Sequence, residues 1–126
     1  MSIEHGVRIV NRSRGTTVAD RVETATSFWA RGRGLIGRRH LPDGFGLVIK
    51  PCTSIHALFM SYPIDALYVD RAGTVLKAFT IKPWRVGPLV LRSAWVVELP
   101  AETAARSATR VGDVAAVLDA RGDACL

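Results

Sequence analysis

The sequence has little cysteine, no long apolar run, no nucleophile elbow, no P-loop and no CxxC pair. Its two cysteines, Cys52 and Cys125, lack CxxC spacing and cannot build a disulfide framework, so they read as free thiols without a zinc or thioredoxin-like site. Charges interrupt even the greasiest segments, around Val69 and Val90, so nothing approaches the roughly 18 apolar residues of a membrane span. Residues 1–6 carry an acid and polar side chains where an export signal needs a basic start and then about 7 to 15 apolar residues. A cytoplasmic protein is the expectation. The chain has no Gly-x-Ser-x-Gly elbow and no P-loop, which excludes the hydrolase and nucleotide-binding modes built on them. Internal repeats, low-complexity tracts and linkers are absent too.

What is present fits one domain spanning residues 1–126, because this length at 48% hydrophobic content suffices for one sizeable core. The net charge of +6 is uneven: in residues 1–39 eight arginines face only Glu4, Asp20 and Glu23. That basic end either meets phosphate, an acidic protein or an anionic surface, or is solvated surface in a chain whose Ala, Val, Gly and Arg content reflects coding bias. Phe28 and Trp29 among Arg21, Arg31 and Arg33 weakly echo single-strand binding, but no RNA-motif consensus accompanies them. Nucleic acid is therefore not the expected partner.

Alternation at 7–11 and 17–22, with turn chemistry between, predicts an N-terminal hairpin over residues 7–22. Thr26 or Ser27 can cap a short helix carrying Phe28, Trp29, Leu35 and Ile36, weakened by Gly32, Gly34 and Gly37. Strands are predicted at 45–49, 55–60, 66–70, 74–80, 93–99 and 114–118, with a hairpin turn at 71–73. Pro100 opens a short helix over 101–107. The pattern predicts an α+β, mainly β fold: a closed or half-closed antiparallel or mixed sheet with one or two short helices.

Chemistry is densest between Gly34 and Asp65. Cys52, His56 and Met60 stand four apart, which suggests a soft-metal site. On a strand, however, four residues advance about 13 Å, too far for shared ligation. No metal and no cofactor is expected. His56 either acts as a base or anion donor, with Asp65 as its orienter, or is a structural histidine bonded to backbone or to Asp65. A catalytic nucleophile is missing. Arg38 either pairs with a buried acid, Asp65 or Glu98, or binds a carboxylate or phosphate. Trp84, in a proline-bracketed loop, is either a loop anchor or a contact residue.

In order, Gly34-Leu35-Ile36-Gly37-Arg38, Leu41-Pro42, Gly46-Leu47-Val48, Phe59-Met60, Pro63-Ile64-Asp65, Asp70, Gly73, Val97-Glu98-Leu99 and Gly112-Asp113 resemble the domain of unknown function 192 family, found in bacteria and archaea. The match spans about residues 27–118. The resemblance implies a compact, mainly β fold and no established activity. Many members carry Trp-Met-Lys-Asn-Thr before a Pro-Leu-Asp, whereas this chain has Phe59-Met60-Ser61-Tyr62, so no role of that Lys or Asn carries over. Many members are exported, which this chain is not expected to be.

Together these readings favour a bacterial binding or accessory domain with Arg38, His56, Met60, Asp65, Glu98 and Trp84 around a polar pocket or interface. Its expected partner is a protein or a small anionic ligand. The alternatives are a small hydrolase or isomerase using His56 as base and Asp65 as orienter, and anionic-partner or nucleic-acid binding through the N-terminal arginines.

Overall fold

The computed structural model describes residues 5–27 and 35–125. Among these, short apolar runs separated by Gly, Asp and Ser turns form β1 (Arg8–Asn11), β2 (Thr16–Ala19), β3 (Arg21–Ala25), β4 (Phe45–Ile49), β5 (Ile64–Val69), β6 (Val75–Ile81), β7 (Trp95–Pro100), the single-turn helix α1 (Thr103–Arg106) and β8 (Ala115–Leu118). The strands make two sheets. One is antiparallel with order β2-β1-β8; the other has order β3-β4-β7-β5-β6 and is parallel only between β3 and β4.

The mainly β expectation holds, but the strands do not close into a barrel. The reason lies at Asp20. There the chain leaves the first sheet, and the N–H groups of Asp20 and Arg21 both donate to Gly44 O at 2.9 Å. Residues read as one hairpin arm over 17–22 are thus divided between β2 and β3, in different sheets.

One apolar core lies between the sheets, joining Ile9, Val18 and Val117 to Val48, Leu67 and Val97. The outer face of the five-stranded sheet carries a second core, in which Phe45, Leu47, Ala66 and Tyr68 are covered by Leu35, Ile55, Ala57 and Met60. Because both faces are covered, every residue of β5 is buried. Each large apolar side chain sealed in this way contributes about 1.5–3 kcal/mol.

The hairpin turn at 71–73 forms as expected. Asp70 Oδ1 accepts from the N–H groups of Ala72 and Thr74 at 3.0 and 2.9 Å. Gly73 has φ 91°, and a Cβ there would sit 2.8 Å from Ala115 O, so only glycine fits. A second polar anchor joins the β1–β2 turn to the chain before β8. Fully buried Asn11 donates from Nδ2 to Thr109 Oγ1 at 3.1 Å and to Asp113 Oδ2 at 3.0 Å, and its Oδ1 accepts from Arg14 N at 3.1 Å. Asp113 also accepts from Arg110 N and Arg14 Nε. These donors, Asn11 first, hold its carboxyl down at about 2.

The predicted strand at 55–60 is the main correction. His56 makes a single bridge to Val86, and Phe59 turns the chain at φ 66°. Ile55, Ala57 and Met60 are apolar because they cover a sheet, not because they belong to one. The helix expected at 101–107 shortens to α1, after Glu102 at φ 73°. The helix expected from Thr26 through Ile36 falls largely outside the described residues, as do Phe28 and Trp29.

Candidate functional site

Strand register brings two carboxylates to one row on the outer face. Glu23 pairs with Leu47, Leu47 with Glu98, and Glu98 with Ala66. Side chains of directly paired residues share a face, so Glu23 and Glu98 flank Leu47, with Cα atoms about 10 Å apart. Both are almost fully buried.

Arg38 reaches this row from the segment that follows Leu35, whose carbonyl accepts its N–H at 3.1 Å. Its guanidinium makes a two-pronged pair with Glu23, Nη1 to Oε2 at 2.8 Å and Nη2 to Oε1 at 3.0 Å, and lies 5.1 Å from the Phe45 ring centroid. The acid expected to meet Arg38 was Asp65 or Glu98; it is Glu23. Reading Glu23 as a site residue required knowing that β3 runs parallel beside β4, which no local pattern declares.

Glu98 is 3% exposed, and burial pushes its carboxyl up to about 8, so it holds its proton at neutral pH. Tyr62 completes the group. Burial raises its hydroxyl, with the Arg38 charge acting against that shift and the Glu98 charge adding to it. Its Oη is buried and has no hydrogen-bond partner among the described residues. Sequence reasoning missed Tyr62, although its place between Met60 and Pro63 at a turn was a usable signal.

Asp65 is not part of this group. It pairs with Leu99 and Thr80, one residue out of step with Glu98 and Ala66, which puts its side chain on the opposite face of the sheet. There Oδ1 accepts from Thr80 Oγ1 at 2.7 Å and Oδ2 from Ala104 N at 2.9 Å, which fixes the start of α1. His56 lies in the cover of the outer face, and its Nδ1 accepts from Leu58 N at 3.1 Å. The structure therefore separates His56 from Asp65 by the thickness of the sheet. Met60 is a core residue at 4% exposure.

Trp84 is exposed and packs its ring 4.9 Å from that of Phe59, also exposed, and both residues have positive φ. Cys52 Sγ donates to Ser54 O at 3.1 Å. Among the described residues no group of three or more His, Cys, Asp and Glu side chains is placed to hold a metal ion. Nor is any described helix long and apolar enough to cross a membrane.

The chain has relatives among known proteins. Two archaeal relatives are UPF0127 proteins. That of Pyrococcus horikoshii is 32% identical over 97 residues, covering 73% of this chain and 83% of its own. That of Pyrococcus abyssi is 29% identical over 110 residues, covering 83% and 92%. Both being archaeal, they leave the expected bacterial source without support. A protein of unknown function from Novosphingobium aromaticivorans has a similar crystal structure, with TM-score 0.74 and 22% identity over 86% of this chain and 81% of that one. A candidate transcription regulator from Sinorhizobium meliloti matches with TM-score 0.69 and 22% identity over 93% and 98%. At that identity the two structures establish the shared fold. The DUF192 family, described as an uncharacterised family, matches residues 9–117, and the chain belongs to it.

Proposed function

We propose that the protein is a binding domain with an accessory role rather than an enzyme, and that Tyr62 and Glu98, beside the Arg38–Glu23 pair, take up one anionic group of a small ligand. The observation that carries this reading is the buried Tyr62 hydroxyl, which lacks a partner among the described residues. A buried hydroxyl left unbonded costs about 1–3 kcal/mol, which a ligand oxygen accepting from it would recover. Glu98, holding its proton at neutral pH, is a second O–H donor in the same row. Two donors beside a guanidinium already neutralised by Glu23 favour a carboxylate or phosphate oxygen over a cation.

Catalysis by His56 and Asp65 is disfavoured by their separation and by the bond that occupies His56 Nδ1. Nucleic-acid binding through the N-terminal arginines is disfavoured because Arg14 and Arg38 are engaged by Asp113 and Glu23. The test is an NMR titration with acetate, succinate and inorganic phosphate. At least one should perturb the signals of Arg38, Tyr62 and Glu98, and Tyr62→Phe should weaken that response about tenfold, the loss of one good hydrogen bond, without lowering thermal stability. Absence of any response, or an equal response in Tyr62→Phe, would falsify the reading.

A further inference from the structure

Exposed large apolar side chains are concentrated in one region of the molecule. Of the six such residues among those described, five (Phe59, Trp84, Val86, Leu89 and Leu91) belong to two neighbouring loops, and each is 59–81% exposed. The loops are laced together: Trp84 N donates to Ala57 O and Ala57 N to Arg85 O at 2.7 Å, while Gly87 N donates to Ile55 O and Val90 N to Thr53 O at 2.8 Å. Strain adds to the oddity. Phe59 and Trp84 have φ of 66° and 64°, a left-handed conformation that large side chains rarely adopt, and it directs two aromatic rings outward together.

Charge in this region has one sign. Residues 44–64 and 71–97 contain no Asp or Glu, while Lys82, Arg85 and Arg92 are exposed beside the apolar side chains. Asp70 lies at the border of this region, 3.7 Å from Arg92. A groove of about 610 Å³ continues from Leu91 and is lined by Lys50, Arg71 and Arg92 as well as Asp70.

We infer that these two loops form a membrane-association surface, with Phe59 and Trp84 inserting at the interface of an anionic bilayer and Lys82, Arg85 and Arg92 meeting its headgroups. Aromatic and aliphatic tips surrounded by Lys and Arg match the chemistry of the headgroup boundary, where tryptophan is favoured and each cation adds attraction to anionic lipid. The cross-loop hydrogen bonds let these backbone groups approach the interface already paired. They also leave these backbone groups closed to an added peptide strand, which argues against an extended acidic peptide. A second copy of the chain would bring cations against cations.

Co-sedimentation with vesicles tests the proposal, using phosphatidylcholine alone and a mixture of about three parts phosphatidylcholine to one part phosphatidylglycerol. The full chain should sediment with the mixture and not with phosphatidylcholine alone, and Trp84 emission should shift to the blue. Phe59→Gly together with Trp84→Gly, which removes both rings and the backbone strain, should keep the thermal unfolding of the parent and lose at least about tenfold in partitioning. Lys82→Gln, Arg85→Gln and Arg92→Gln should each cost about fivefold and flatten the salt dependence. No sedimentation with the mixture, or sedimentation unchanged in the double variant, overturns the proposal. So does retention on immobilised polyglutamate that exceeds vesicle binding, since that would make an acidic protein the partner.

Discussion

Two buried polar clusters lie in different parts of the molecule, and they are built on opposite terms. At the end of the small sheet, Asn11 has partners for its side-chain oxygen and nitrogen, Asp113 Oδ2 accepts from Asn11, Arg14 and Arg110, and the carboxyl sits at about 2. On the outer face of the large sheet, Glu98 is pushed up to about 8 and Tyr62 Oη lacks a partner among the described residues. A satisfied network fixes a loop; an incompletely satisfied one costs stability and persists where something else completes it. The contrast sets the proposed binding site on the outer face against a structural anchor at the Asn11 cluster.

The comparison is broken most directly at Asn11. Asn11→Ala should destabilise by about 3 kcal/mol, because it strands the Arg14 N–H and removes a donor from Asp113 in a buried site. Chemical denaturation measures this, and a loss below about 1 kcal/mol would mean that the cluster is not the anchor described. The same cluster stabilises at pH values above the ordinary carboxylate range and loses that contribution as pH falls toward 2.

Glu98 should show the opposite slope. Its folded state holds a proton that the unfolded chain releases, so the contribution is complete below about 4.5 and is lost as pH rises to about 8. Glu98→Gln should remove this pH dependence and leave the variant no less stable than the parent at pH 8. Stability curves of both proteins between pH 4 and 9 decide the matter; matching slopes would show that Glu98 ionises freely in the fold.

Asp65 gives the smallest effect and separates the two faces. Asp65→Ala should cost about 1–2 kcal/mol through the loss of its bonds to Thr80 and Ala104. The NMR signals of the His56 ring should stay in place, whereas a catalytic pairing would require them to move.

The mainly β architecture was readable from apolar alternation, because each strand needs only its own residues to present a buried face. The exact bounds of β4 and the turn at Gly73 follow from the same local chemistry. Residues 55–60 misled because covering a sheet and belonging to one demand similar apolar side chains. Arg38, beside Gly37, and Glu98, an expected partner for it, were both candidates in the sequence, and the structure brings both to the outer face. Asp65 was misassigned for a reason of parity: one residue along a strand reverses the face, and only the register with Leu99 and Thr80 settles which face is which.

Composition, turn residues and hydrophobic period were enough to dictate a small β-rich chain with a cationic excess and an arginine among glycines near its start. Sheet order, the parallel pairing of β3 with β4 and the crossing of the chain at Asp20 were decided by tertiary packing. Those long-range choices set Glu23 against Arg38 and Glu98 near Tyr62, and they put Asp65 behind the sheet. Local propensity is blind to them because they depend on which strands come to lie side by side, a property of the whole folded chain.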